Sequence, residues 1–142
     1  MRGALAELTR RFGPVRSSSV YRSAAVGIPA ADYSNLVIAF TTELSVDSLR
    51  DELRVIEALA GRARADPAVC ELDLDLLLYG RRVDAERRLP RPALFALPFT
   101  LVPLAELAPD FTHPVTGQSC RSALRERGGG ALDNLGQLNA LA

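Results

Sequence analysis

The stretch Glu71-Leu72-Asp73-Leu74-Asp75-Leu76-Leu77-Leu78-Tyr79-Gly80 alternates leucine with aspartate before it ends at a Tyr-Gly pair. A period of two is typical of a half-buried β-strand, because successive side chains point to opposite faces. The pattern predicts a strand over residues 72–79 whose even-numbered leucines face the core. Asp73 and Asp75 then project together from the other face, about 6–7 Å apart at Cα.

Two carboxylates at this spacing have two interpretations. They form either the solvated face of an ordinary strand or a site for a cation, and paired carboxylate oxygens suit Mg²⁺, which keeps several waters and is often completed by substrate phosphates. Arg62 and Arg64 lie just upstream, where guanidinium groups can neutralise phosphate oxygens. The combination favours magnesium-nucleotide chemistry, although neither half of it is specific.

The rest of the chain predicts further elements around this strand. They are a helix over 4–12, an extended segment over 15–23, a covered strand over 33–44, a helix from the cap at Ser45 to 60, a return strand at Val83, and a helix over 101–108. Their order predicts an α+β fold, with helices on one face of a mostly antiparallel sheet. Residues 1–127 are predicted to form one domain, and the Gly-rich residues 128–142 a flexible tail.

Composition excludes several classes of protein. The 142 residues carry 17 basic and 17 acidic side chains, and all the basic ones are arginine. A chain without lysine cannot use a P-loop lysine or a Schiff base, and zero net charge argues against a nucleic-acid partner. Cys70, Cys120 and the single His113 are too few for a zinc site within one chain. Apolar runs are short, so we expect a cytoplasmic protein that neither enters nor binds a membrane.

Several segments together resemble the hydroxymethyldihydropterin pyrophosphokinase family of folate biosynthesis. They are Ser18 to Ser23, Asp32-Tyr33-Ser34-Asn35, Ile56-Glu57 through Gly61-Arg62, Leu72 to Gly80, and Leu89-Pro90 through Phe99 to Asp110. The resemblance implies a ferredoxin-like α+β fold. It also implies transfer of pyrophosphate from ATP to 6-hydroxymethyl-7,8-dihydropterin, with AMP as the other product.

The same resemblance assigns roles to individual residues. It implies that Asp73 and Asp75 hold two magnesium ions and act in catalysis with Arg62. Nucleotide-side positions are Glu57, Arg64, Leu76 and Arg91. Pterin-side positions are Ser23, Ala24, Val26, Tyr33, Asn35 and Phe99, where the Asn35 amide matches the group that reads the pterin edge and Phe99 the ring that stacks on it.

The chain also departs from the family pattern. Asp66 to Glu71 replaces an Arg-Trp-Gly-Pro-Arg-Thr loop, Pro90-Arg91 replaces Pro-His, and Leu97 stands where an arginine is usual. Arg87, Arg88 and Arg91 are candidates to compensate for the lost cations. Three functions are therefore weighed: an active pyrophosphokinase, a non-catalytic pterin- or nucleotide-binding protein, and a structural or partner-binding remnant. We favour the first, because the aspartate pair and the pterin-side matches are retained together.

The family begins with an apolar strand and a Gly-Ser-Asn turn, whereas this sequence begins inside the helix that follows them. Three explanations are open: a start upstream, which we favour, a strand supplied by a partner, or a decayed copy. We expect a monomer if the start lies upstream and a strand-completing oligomer otherwise.

Overall fold

The computed structural model describes residues 2–23, 33–62, 72–130 and 132–138. Its helices are α1 (Arg2–Phe12), α2 (Val46–Arg62), α3 (Pro98–Leu107) and α4 (Cys120–Arg127). Its strands are β1 (Arg16–Ser17), β2 (Tyr21–Ser23), β3 (Tyr33–Asn35), β4 (Ile38–Ala39) and β5 (Asp133–Asn134). This combination of helices with small antiparallel sheets agrees with the predicted α+β class. None of the helices in these ranges is long and apolar enough to cross a bilayer.

Helix α2 begins where the sequence predicts. The Ser45 hydroxyl accepts a hydrogen bond from the Ser48 amide at 3.1 Å and so caps the first turn. One face of α2 packs on α1, because apolar side chains recur at helical spacing on both. The buried residues of this N-terminal core are Ala4, Leu8, Leu49, Leu53 and Ile56.

A second core joins α3 and α4. Its buried residues, here called the C-terminal core, are Leu94, Phe95, Leu101, Leu104, Ala105, Cys120 and Ala123. Helix α3 begins at Pro98, earlier than predicted, because proline is well suited to the first turn of a helix. Helix α4 was not predicted, since its eight residues contain few apolar side chains. It is capped by the Ser119 hydroxyl, which accepts from the Ser122 amide at 3.0 Å.

The strands form two small sheets, β1–β4 and β3–β2–β5. The predicted covered strand over 33–44 is therefore divided between the sheets, with β3 on β2 and β4 on β1. Val37 lies at the division, where it contacts the C-terminal core while the adjacent Ile38 contacts the N-terminal core. Because neighbouring side chains in extended backbone point to opposite faces, the two cores cover opposite sides of this segment. Helices thus lie on both faces, whereas the sequence had indicated one.

The strand predicted over residues 72–79 is not formed. Burial alternates along residues 72–76, but no strand among the described ranges pairs with them. Extended backbone becomes a strand only when a neighbouring chain accepts its hydrogen bonds. The predicted return strand at Val83 is likewise reduced to an isolated bridge between Asp84 and Leu89.

Strand β5 and the residues that follow it pack on the β3–β2–β5 sheet. Strand β5 pairs with β2, and the Leu135 amide donates to the Val20 carbonyl at 2.8 Å. Leu138 is buried. Part of the segment predicted as a flexible tail thus packs on the sheet, because β2 offers a free edge to it.

Candidate active site

Asp73 and Asp75 lie in the segment 72–78, which forms neither helix nor strand, and both are exposed. The leucines that alternate with them, at positions 72, 74 and 76, are half-buried against the N-terminal core. The predicted alternation is therefore confirmed even though no strand forms. Apolar contacts on one side of the segment leave both carboxylates on the opposite side.

Glu57 of α2 fixes the backbone between the two aspartates. Its Oε1 accepts a hydrogen bond from the Leu74 amide at 2.6 Å. The family resemblance had assigned Glu57 to the nucleotide side, and in the structure its carboxylate is engaged by the protein backbone. A charged acceptor on an amide makes a stronger bond than a neutral one, so this contact holds the segment against α2.

Arg91 lies beside the second aspartate. Its Nη1 is 3.5 Å from Oδ1 of Asp75, and both side chains are accessible to solvent. The Arg91 backbone amide donates to the Leu77 carbonyl at 2.9 Å, which ties the two segments together. Arg91 thereby places a cation next to the carboxylate pair. Sequence reasoning grouped it with the nucleotide-side residues but had no signal for its partner.

The carboxylate pair fits a magnesium ion by its donor chemistry. Mg²⁺ binds oxygen and retains water, so two aspartates together with substrate phosphates complete its coordination. In the described ranges no cluster of three or more acidic, cysteine or histidine side chains is present. A site that uses phosphate and water for its remaining ligands agrees with that finding.

The structure describes only some of the remaining nucleotide-side residues. Leu76 is half-buried against the N-terminal core. Arg62 is the last residue of α2, and its side chain is outside the description, as is all of Arg64. The structure therefore brings Glu57, Leu76 and Arg91 to the aspartate segment and leaves the two upstream arginines undecided.

The described pterin-side positions lie on β2, β3 and α3. Asn35 lies in β3, where its backbone pairs with Tyr21 of β2, and Phe99 lies in the first turn of α3 with 39% of its surface exposed. Within the described residues, no ring contact or hydrogen bond links Asn35 to Phe99. Ser23 and Tyr33 pair in the β2–β3 ladder, but their side chains, and Ala24 and Val26 entirely, lie outside the described residues.

A cavity of about 530 Å³ adjoins the aspartates. We call it the groove. It runs between residues 36–42 on one side and residues 73–80 on the other, and both cores contribute to its walls through side chains such as Leu49 and Leu104. Sequence reasoning did not identify it, because the two segments are far apart in the chain.

Arg87, one of the arginines considered as a compensating cation, is held elsewhere. Its guanidinium donates to Asp47 at 3.1 Å and to Asp84 at 3.0 Å. The guanidinium holds the pKa of Asp47 below the usual range. The pKa of Asp84 is lowered first by the Arg87 backbone amide, which donates to its Oδ1 at 3.2 Å, and then by the guanidinium. Arg87 thus connects α2 to the turn at 84–89, and of the three candidate arginines it is Arg91 that forms a described ion pair with Asp75.

Residues 1–109 match the family profile described as 7,8-dihydro-6-hydroxymethylpterin-pyrophosphokinase (HPPK). The chain belongs to the HPPK family. It is 42% identical over 124 residues to a Synechocystis protein named 2-amino-4-hydroxy-6-hydroxymethyldihydropteridine pyrophosphokinase, with 84% of this chain and 64% of the relative covered. A protein of the same name from Haemophilus influenzae is 40% identical, and the match covers 70% of this chain and 65% of the relative. Another from Methylorubrum extorquens is 38% identical, and the match covers 78% of this chain and 71% of the relative.

Membership of the HPPK family confirms the resemblance drawn from the segments between Ser18 and Asp110. The chain spans less than two thirds of the length of the Synechocystis and Haemophilus relatives, at 64% and 65%. The matched region contains the aspartate segment, Glu57 and Arg91, so the site described above lies wholly within the HPPK homology.

Proposed function

We propose that this chain transfers pyrophosphate from ATP to 6-hydroxymethyl-7,8-dihydropterin, releasing AMP, in folate biosynthesis. The observation that carries the proposal is the exposed Asp73–Asp75 pair beside the groove, in a chain of the HPPK family. Membership of the family indicates which reaction to propose, and the two carboxylates are groups that could hold the magnesium ions of that reaction.

In this proposal Asp73 and Asp75 hold two magnesium ions, which neutralise phosphate charge when bound. The pterin hydroxyl oxygen forms a bond to the β-phosphorus as the bond from that phosphorus to the oxygen of AMP breaks, and the hydroxyl proton is released. Glu57 positions the two aspartates through the Leu74 amide. Arg91 stabilises negative charge on the phosphates from its place beside Asp75.

The other assignments extend the proposal to both substrates. Arg62, Arg64 and Leu76 form the nucleotide side. Asn35 reads the pterin edge, Phe99 stacks on its ring, and Tyr33 with the backbone of Ser23, Ala24 and Val26 lines its slot. The partial exposure of Phe99 supports a stacking role, because a ring of the core would be covered.

The finer features of the fold belong to the same proposal. We assign a ferredoxin-like arrangement to residues 1–127, with residues 128–142 as an appended segment, in a cytoplasmic protein. The packing of α1 and α2 together in the N-terminal core, on one side of the segment that contains Ile38, supports this assignment, and α3 and α4 lie on the other side.

The test measures AMP formed from ATP, magnesium and 6-hydroxymethyl-7,8-dihydropterin, against a reaction without the pterin. We expect AMP that depends on the pterin, and its loss by at least a hundredfold in Asp73→Asn with the circular dichroism spectrum unchanged. Asp51→Asn is the matched control, because Asp51 is an exposed carboxylate on α2 that forms an ion pair with Arg54 at 3.1 Å. Full activity in Asp73→Asn would refute the mechanism.

A second candidate is a binding protein for pterin or nucleotide that lacks turnover. The Arg91–Asp75 ion pair favours it, since a guanidinium at Asp75 competes with a metal ion for the carboxylate. Calorimetry that detects pterin or ATP binding without AMP formation would establish this candidate in place of the enzyme.

A further inference from the structure

The attachment of α3 to the sheet determines how far apart Asn35 and Phe99 lie, because the two residues belong to different elements and no described contact joins them. A polar contact makes this attachment at the end of α3 remote from Phe99. Oε1 of Glu106 accepts from the Ser19 hydroxyl at 2.6 Å, and Oε2 accepts from the Ser19 amide at 2.5 Å. Both oxygens of one carboxylate thus bind one residue of the segment that leads into β2.

Tyr21, two residues after Ser19, shares a face of the sheet with Asn35. The two residues are direct partners in the β2–β3 ladder, and the side chains of direct partners lie on the same face. Asn134 is the partner of Tyr21 on the other side, and its Nδ2 donates to the Tyr21 hydroxyl at 3.5 Å, as this arrangement requires. Tyr21 is only 8% exposed, so the face is covered where its ring lies.

Helix α3 lies over this face. Burial raises the pKa of Tyr21, and the negative charge of Glu106 raises it further, so the carboxylate lies near the phenol. Glu106 therefore reaches both Ser19 and the surroundings of Tyr21 from the last turn of α3. The side chain of Asn35, on the same face as Tyr21, is consequently on the side of the sheet that α3 covers.

Phe99 projects from the same side of α3 as Glu106. The two residues are spaced i to i+7, which is nearly two full turns, and they lie about 10 Å apart along the helix axis. No described residue forms a hydrogen bond with the Asn35 side-chain amide, and the Phe99 ring is partly exposed. Both groups are thus available to a ligand, while the contact that fixes their elements lies at the other end of α3.

We infer that Glu106 is a positioning residue, whose bonds to Ser19 set the spacing between Phe99 on α3 and Asn35 on β3. The inference rests on the proposed function, which assigns Phe99 and Asn35 to the pterin. It adds a group that touches neither substrate and acts through the two residues that do. Hydrogen bonds to an ionised carboxylate are strong, which suits Glu106 to hold two elements in register.

The spacing is measured without any ligand, by electron–electron double resonance between spin labels at Ser34→Cys and Leu97→Cys. Both positions are exposed and lie close in sequence to Asn35 and Phe99. The background is Cys70→Ser, in which Cys120 is buried and is not expected to react in buffer. We expect the distance distribution to broaden about twofold in Glu106→Ala and to change little in Glu106→Gln, which keeps an acceptor oxygen.

Glu126→Ala is the matched control. It removes a carboxylate from α4, where Glu126 accepts from the Gln118 side chain at 2.7 Å, and it should leave the distribution unchanged.

Substrate affinities distinguish positioning from a general loss of structure. Calorimetry with magnesium present gives the dissociation constants of 6-hydroxymethyl-7,8-dihydropterin and of a non-hydrolysable ATP analogue. We expect Glu106→Ala to bind the pterin about tenfold more weakly and the ATP analogue with unchanged affinity. Glu106→Gln should recover most of the affinity for the pterin.

The inference is overturned if the distances are equally narrow in Glu106→Ala and the parent protein, or if both ligands lose affinity by the same factor. If circular dichroism shows Glu106→Ala to be unfolded, Ser19→Ala takes its place, since it removes only the hydroxyl donor and should give the same changes at smaller size. A parent protein that binds no pterin refutes the proposed function alone, and the label distances then decide the spacing by themselves.

Discussion

The guanidinium of Arg91 lies 3.5 Å from a carboxylate oxygen of Asp75, so a protein cation already stands where the carboxylate pair would receive a metal ion. Both side chains are partly exposed, and an ion pair in that setting contributes little to stability. We therefore expect the Arg91–Asp75 ion pair to change the affinity of the carboxylates for a cation more than it changes the stability of the fold.

Arg91→Gln removes the competing charge, and we expect Mn²⁺, used in place of Mg²⁺, to bind about two- to fivefold more tightly at low ionic strength. The measurement is electron paramagnetic resonance titration without nucleotide. Arg88→Gln is the control, since Arg88 is an exposed neighbour for which the described residues provide no ion pair. Equal affinity in Arg91→Gln and the parent protein would show that the ion pair does not compete.

Glu57 is expected to control the backbone at the aspartates. Glu57→Ala leaves the Leu74 amide without its charged acceptor, which costs about 1–3 kcal/mol in the free energy of unfolding. Exchange of the Leu74 amide, followed by NMR, should accelerate in Glu57→Ala and much less in Glu57→Gln, which keeps an acceptor oxygen. Unchanged exchange in Glu57→Ala would mean that the carboxylate does not hold this segment.

Ser19 and Glu106 connect the segment between β1 and β2 to α3. Oε1 of Glu106 accepts from the Ser19 hydroxyl at 2.6 Å, and Oε2 accepts from the Ser19 amide. We expect a double-mutant cycle with Ser19→Ala and Glu106→Gln to give a coupling energy of about 0.5–2 kcal/mol in urea unfolding. Additive effects of the two changes would contradict a direct interaction between them.

His113 should make stability depend on pH. Its Nδ1 accepts from the amides of Val115 and Thr116, at 3.1 and 3.3 Å, and burial lowers its pKa below the usual range. The unfolded chain, with the ordinary pKa of about 6.5, then binds more protons than the folded one as pH falls, so folding loses stability below about pH 6.5.

The variant His113→Asn keeps an oxygen acceptor for both amides and does not titrate. The urea concentration at the unfolding midpoint should fall between pH 7.5 and pH 5.5 in both proteins. We expect the decrease to be larger in the parent protein than in His113→Asn. An equal decrease in both proteins would assign the pH dependence to other groups.

Cys120 is expected to be unreactive in the folded protein. Its thiol is fully buried in the C-terminal core, and burial raises its pKa to about 11. In a Cys70→Ser background, where Cys120 is the single thiol, a disulfide reagent should label it at least a hundredfold faster in urea than in buffer. Rapid labelling without denaturant would show that α4 opens readily.

Local patterns in the sequence determined much of this protein. The alternation around Asp73 and Asp75 predicted which side chains are exposed, and the cap at Ser45 predicted where α2 begins, because both depend on neighbours in the chain. The segments between Ser18 and Asp110 were also enough to identify the family.

Contacts between distant residues were decided only by the tertiary structure. The bond from Leu74 to Glu57 and the ion pair of Arg91 with Asp75 depend on how α2 and the 89–91 segment pack, which no local pattern encodes. The same reason explains why residues 72–79 alternate in burial without forming a strand: alternation specifies the faces of a segment, whereas a ladder requires a neighbouring backbone to accept its hydrogen bonds.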